Sequence, residues 1–482
     1  MGAAAVISLA EVREQKPRVQ IRRQLHEQFD HGLDTVEEQV KEAKPTLAQL
    51  TRAVGEVRQE LSGQMTTALI APRYRAEQEQ SPAPCPQWGR PVAARGVVTR
   101  KVETLVGEVE LARPYFYGVP WGQGFAPRAT AVGVAPGRKQ FAGQPAAAKL
   151  AAEVPYEPAQ ALFAERTGGG VSTARLQELT HKGAEGLSGW AVAPTRGESL
   201  AKLAAVAAGR RWRPIGVWAI EGAALPTRPA AAKGRRPGRK KPRATRARWQ
   251  GQWREAQGIR FSLGADDRIL QLLSWHQLQD HEELFAALRQ GKKAGLIPED
   301  QRRLGVVAEG AQWSWQGVQP RFPPAEALLD DSHCAEHVPQ VAAGHYGEQP
   351  EQALAWGEAT LARLFAGEGA GVLWGVPRLR PASAQAAAAI DDLIVYLQNN
   401  PGRINDRSRR KAGYPLGSGG MESANKFICH VRLTRSGAWW YVANSTHMLA
   451  LRCARYNGTF ERVFERYRHK TLEQSQQKKI KK

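Results

Sequence analysis

Residues 413–441 read GYPLGSGGMESANKFICHVRLTRSGAWWY, and this stretch governs how the rest of the chain is understood. Pro415 with Gly417, Gly419 and Gly420 predicts a tight turn in which the glycines take positive φ. From Met421 to Ser436 there is no proline or glycine, enough for about four helical turns. Glu422 stands at the start of that segment. Lys426, His430, Arg432 and Arg435 follow it, and then Trp439, Trp440 and Tyr441. One acid at a helix start among cations and aromatic faces suits a metal-binding carboxylate beside nucleic acid. It equally suits a capped amphipathic helix whose acid favours the helix dipole. The stretch alone leaves both open.

The chain has 482 residues, room for two to four domains, and a formal net charge of +22, which favours a polyanionic partner. Four scattered cysteines do not make a disulfide framework and point to a reducing interior. No early apolar run reads as a signal peptide and no apolar stretch is long enough to span a bilayer. The expectation is a cytoplasmic protein with no membrane partner.

Working outward, residues 1–80 carry apolar positions at helical spacing and read as a helical arm. Residues 81–135 form a small β element, with a hairpin expected over 95–111 between CPQWG (85–89) and YGVPWG (117–122). Those brackets look like a zinc ribbon that keeps only Cys85, with Trp88, Gly118 and Trp121 where further ligands would stand. A structural zinc site wants four soft or imidazole ligands, so no zinc is expected there. Residues 136–210 are Ala-rich helices joined by glycines, open to a DNA-reading role or to plain packing.

Residues 214–226 form an apolar strand ending in Glu221 and Gly222. A basic, Pro-rich run follows, including Arg236, Lys240 and Lys241, suited to phosphate contacts or to a solvated loop. Strands are expected over 258–264 and 268–275, a helix over 280–292, and a buried strand over 303–309 ending in Glu309 and Gly310. LLDDSHCAEH (328–337) leads into a helix, and 349–411 is helical with a basic tail. The order strand-acid, antiparallel strands, helix, strand-acid, helices and acid at a helix start could bring Glu221, Glu309 and Glu422 to a metal pair, the arrangement used in phosphodiester chemistry. Glu-Gly after an apolar strand also occurs in ordinary turns.

The stretch at 413–441, together with LLDDSHCAEH, AEGAQWSW (308–315), SWHQLQD (274–280), AGLIPEDQ (294–301) and LALRCARYNGTFERVF (449–464), resembles the insertion-sequence DDE transposases of the Kra group, relatives of the Mutator-like transposases. The likeness runs from about Cys85 to the C-terminus. It implies an α/β protein with an RNase H-like catalytic core over 211–348 and 412–470, broken by a helical insertion at 349–411. The helical arm, the ribbon-like element and the helical region precede that core, and a basic tail (471–482) follows it. It implies DNA strand cleavage and transfer by Glu221, Glu309 and Glu422 with two Mg2+ or Mn2+ ions. Asp330 and His333 match the family's Asp-x-x-His element. DNA contacts fall to Lys426, His430, Arg432 and Arg435 and the basic run, and the protein is expected to act as a homo-oligomer on nucleoid DNA in a bacterial cell.

One departure weighs against activity. Where the family has Asp-Gly, this chain has Glu221-Gly222 and Glu309-Gly310. Each glutamate sets its carboxylate back by about one carbon–carbon bond, and errors near 1 Å cost on the order of 100-fold. A catalytically inactive DNA-binding remnant is therefore the alternative.

Overall fold

The computed structural model describes residues 9–41, 44–78, 82–84, 89–118, 123–125, 143–189, 191–209, 214–229, 251–265, 268–296, 303–323, 325–347, 349–415 and 417–480. Cys85, Trp88, Trp121, Arg236, Lys240 and Lys241 lie outside the described residues. So does the Asp266-Asp267 turn. The chain divides into two compact units, Met1–Gly183 with Phe464–Lys482, and Ala184–Val463.

In the first unit, helices α1 (Leu9–Gln39) and α2 (Leu47–Gln78) pack together. They lie so close that a Cβ on Gly32 would meet Val57 Cγ1 at 2.8 Å. Short strands β1 (Ala83–Pro84) and β2 (Pro91–Val92) pair antiparallel. The expected hairpin is longer than 95–111: β3 (Ala94–Thr104) pairs antiparallel with β4 (Gly107–Gly118), and β5 (Gln123–Phe125) adds to β4. Val102, Val109 and Leu111 bury one face of the hairpin against Ile70 of α2, and the Glu110 amide donates to Thr67 Oγ1 at 3.1 Å. Helices α3 (Gly143–Glu153), α4 (Tyr156–Thr167) and α5 (Thr173–Ala184) enclose a core of Ala147, Ala151, Ala159, Phe163, Leu176 and Leu179. The alanines allow close helix approach, and the phenylalanine and leucines fill the remaining space.

The second unit opens with α6 (Arg196–Ala207), started by a capping box between Thr195 and Glu198. A mixed sheet follows, built from β6 (Ile215–Arg228), β7 (Gln252–Ala265), β8 (Arg268–Gln277), β9 (Arg303–Ala308) and β10 (Glu326–Leu329). Its strand order is β10-β9-β6-β7-β8. β7 runs antiparallel to both its neighbours, β6 and β8, while β9 lies parallel to β6 and β10 parallel to β9. One face packs Trp218, Ile220, Ile259, Phe261 and Val306, with Trp218 and Phe261 rings 4.4 Å apart. Between the strands come α7 (His281–Lys293), capped by Asp280, and α8 (Gln312–Val318).

After β10 the chain is helical: α9 (Asp331–Tyr346), α10 (Pro350–Phe365), α11 (Gly369–Gly375), α12 (Ala384–Asn399) and α13 (Asp406–Lys411). Then come α14 (Gly419–Asn425), a π turn over Lys426–His430, α15 (Val431–Leu433), β11 (Trp440–Tyr441) beside the far end of β6, α16 (Val442–Tyr456) and α17 (Phe460–Ile480). Among the described residues no helix is long and apolar enough to cross a membrane.

The uninterrupted four-turn helix expected after Met421 is thus broken by a π turn. Arg452 on α16 explains how the turn is tolerated. Its side chain is fully buried, its Nε donates to the carbonyls of Phe427 and Ile428 at 2.9 Å each, and its guanidinium lies 4.6 Å from the centre of the Phe427 ring. A π turn shifts its carbonyls out of the α pattern, and these two find their donors on Arg452. Arg452→Met should therefore strand two buried carbonyls and cost about 2–4 kcal/mol, read from urea unfolding midpoints. A change below about 1 kcal/mol would mean that the π turn needs no such support.

Candidate metal centre

The sheet register assembles the centre. Glu221 pairs with Gly258, and Gly258 with His276. The last parallel pairs are Ile220 with Ala308 and Leu329 with Ala308. Side chains alternate between faces, so Asp330, Glu309, Glu221, Gly258 and His276 form one row across five strands, on the face opposite Trp218. Glu309 and Asp330 sit just past the ends of β9 and β10, where open α/β sheets collect ligands. Glu221 does not end its strand, as the sequence suggested. β6 continues to Arg228, held by β7 and later by β11.

The row brings three donor groups together. One ligand atom each from Glu221, Glu309 and His333 all lie within 4.8 Å of one another. His333 Nε2 is 3.8 Å from Glu309 Oε1, and its Nδ1 is 3.7 Å from Glu336 Oε2. Burial, reinforced by the neighbouring Glu309 charge, pushes the Glu221 carboxyl up to about 7. Burial likewise raises Glu309, with His333 partly opposing it. Glu221 Oε2 and Asp330 Oδ2 are buried without any hydrogen-bond partner. Two raised carboxyls, an imidazole and orphaned acceptor oxygens fit a divalent cation, and the mixed oxygen and nitrogen donors suit Mn2+ as well as Mg2+.

Asp330 caps α9 by accepting from the Ser332 amide at 3.0 Å and is fully buried. It ends the row at β10 but stands outside the three-residue group. Glu309 is held from the backbone. The Tyr396 hydroxyl donates to its carbonyl at 3.2 Å, and Asn400 Nδ2 reaches the Gly310 carbonyl at 3.4 Å. Gly310 has φ +109°, and a Cβ there would lie 2.9 Å from the Tyr396 ring. The glycine after Glu309 is thus a steric requirement, and α12 fixes where the acid points.

Glu221 is oriented by a second contact, from Asn425 of α14 to its carboxylate. Asn425 Oδ1 lies 2.7 Å from His276 Nε2. His276 is wholly buried and its imidazole is depressed to about 4, so it is neutral and can donate from Nε2. That leaves the Asn425 amide nitrogen to face Glu221. Gly258 makes the space, because a Cβ there would stand 2.5 Å from the His276 ring. Asn425→Ala should weaken metal binding about 10-fold or more, measured calorimetrically with Mn2+, since it removes the group that orients a ligand.

Glu422 is exposed on α14 and lies outside the three-residue group, but its charge reaches Glu221 and raises it further. The glycines before it differ from expectation. Gly417, Gly419 and Gly420 are absent from the positive-φ set, and α14 begins at Gly419. Gly417 and Gly420 are needed for close approach: a Cβ would lie 2.6 Å from Asp331 Oδ1 in the first case and collide with the Arg260 guanidinium in the second.

Arg432 requires a correction. It is buried, with its guanidinium 4.9 Å from the centre of the Trp440 ring, so it is core and not a surface contact for phosphate. Its helical position sets it against Trp440 of β11, which charge counting could not reveal. Lys426, His430 and Arg435 are exposed. Trp440 is buried and donates to the Leu433 carbonyl at 3.0 Å.

Sequence reasoning passed over Asn425, His276 and Arg260. Asn425 had a signal, its place three residues after Glu422 on the same helical face. His276 and Arg260 had none before the register was known.

No family model matches the chain, and no curated protein does. Among solved structures the chain is similar to the Drosophila P element transposase strand transfer complex, at 9% identity and a TM-score of 0.22, over 66% of this chain and 79% of that one. An overlay that loose assigns neither fold nor activity.

Proposed function

We propose that this chain is a DDE-type DNA transposase of the insertion-sequence Kra kind, with an RNase H-like core interrupted by the helices of 349–411. The observation that carries the reading is the placement of Glu221 and Glu309 side by side at the level where β9 stops pairing with β6 and β10, with Glu422 on α14 within electrostatic reach. The strand order β10-β9-β6-β7-β8, three antiparallel strands followed by two parallel ones, is the order expected of an RNase H-like core.

Glu221 and Glu309, with Glu422 and His333 beside them, would hold Mg2+ or Mn2+. When bound, such ions activate the attacking oxygen and stabilise the leaving one in phosphodiester cleavage and strand transfer. The chain's own part is to aim Glu309 from α12, to aim Glu221 through Asn425, and to present exposed Lys426, His430 and Arg435 to the DNA backbone. A net charge of +22 supports a DNA partner.

A second reading, a DNA-binding transposase remnant without activity, is favoured by the glutamates at both strand-end positions. A nicking assay on supercoiled DNA with Mg2+ or Mn2+, run beside a band-shift assay, tests both. Metal-dependent nicking supports the transposase, binding without nicking supports the remnant, and neither binding nor nicking removes both.

A further inference from the structure

Two residues inward from the acidic row, on the same face of the sheet, lies a second row of Leu328, Val307, Ala219, Arg260 and Ser274. Residues 413–415 and 417–421 border it and form the mouth of a cavity of about 120 Å³, lined by Arg260, Ser262, Tyr414, Gly417, Ser418 and Gly420.

Two polar groups there have no partner. Arg260 Nε is buried without a hydrogen-bond acceptor. Among the described residues no ion pair reaches its guanidinium, although carboxylates stand in the next row. Ser418 is only 5% exposed, and its Oγ is likewise buried and unpaired. Leaving a buried guanidinium nitrogen and a buried hydroxyl without acceptors is costly. Glycine at 420 keeps the guanidinium in place, because any Cβ there would collide with it.

We infer that this cavity is a phosphate-holding subsite in which Arg260 and Ser418 take a backbone phosphate of a bound DNA strand, adjacent to the metal centre. The guanidinium fork matches phosphate oxygens bidentately, and a serine hydroxyl supplies a further donor. An anion there also completes the donors that the fold leaves empty. The choice of DNA as the source of the phosphate rests on the reading under Proposed function. The cavity's preference for an oxyanion does not.

The test uses the full chain and two variants. Arg260→Met keeps the aliphatic stem and removes an unpaired charge, so it should fold. Gly420→Ala keeps every charge and displaces the guanidinium. Fluorescence anisotropy with a labelled duplex gives the dependence of log affinity on log salt. Each variant should lose about one from the magnitude of that slope, the contribution of roughly one phosphate. Inorganic phosphate should raise the thermal midpoint of the unmodified protein and of neither variant. DNA binding with unchanged slopes, and phosphate protection equal in all three proteins, overturns the subsite and leaves the transposase reading intact. Phosphate protection that depends on Arg260, in a protein that does not bind DNA, keeps an oxyanion site, overturns DNA as its ligand and removes the transposase reading.

Discussion

Replacing Glu221 and Glu309 together by aspartate should raise Mg2+-dependent nicking by about 100-fold. The effect is expected to be large because neither acid can compensate by moving its backbone. Glu221 sits inside a strand that β7 pairs along its length, one residue past its last pair with β9, and the Glu309 carbonyl is clamped by Tyr396. Carboxylate position therefore depends on side-chain length alone, and the extra methylene pushes both acids into one another's field. Magnesium demands near-ideal octahedral geometry, so the gain should be smaller with Mn2+. Glu422→Gln in the restored protein should abolish the gain. If the unmodified chain nicks as fast as the doubly substituted one, the added methylenes do not impair it.

The second large effect concerns pH. The Glu221 carboxyl rises from an ordinary 4.5 to about 7, through burial first and the Glu309 charge second. The folded state thus holds a proton that the unfolded state has released. Its stabilising contribution is complete below about 4.5 and is lost as pH rises through about 7. Without metal, the thermal midpoint should fall across that window, by an amount equivalent to about 1–2 kcal/mol once solvent screening of this half-buried group is allowed for. Mn2+ reverses the sign, because it binds the deprotonated carboxylate and displaces the proton. Its apparent affinity should climb about 10-fold per pH unit towards 7 and level off above it. Glu221→Gln should flatten both profiles. Profiles that keep their slope in that variant would place the titrating group elsewhere.

Much of the second unit was legible in advance, for identifiable reasons. Strands β6 and β9 are apolar runs bounded by polar turns, and α7 announces itself with Asp280 before an amphipathic repeat. The acids stood out because Glu309 follows a strand, Glu422 lies in the first turn of a helix and Glu221 closes an apolar run, although β6 continues past it. The misreadings share a cause. Arg432 looked like a surface cation, the glycines of 417–420 like a positive-φ turn, and residues 421–436 like one α-helix. Each depends on what packs against it: Trp440 against Arg432, α16 over the π turn, Asp331 and Arg260 against the glycines.

The sequence by itself determined the alternation of elements, the positive charge and the three acids, because period, turn chemistry and charge are local properties. Only the tertiary structure decided which atoms meet. Sheet register set Glu221 beside Glu309 and opposite Gly258 and His276, while a helix from the distant 384–399 segment aimed Glu309. Register is a pairing between strands far apart in the chain, and no single stretch encodes the distance between two carboxylates on different strands.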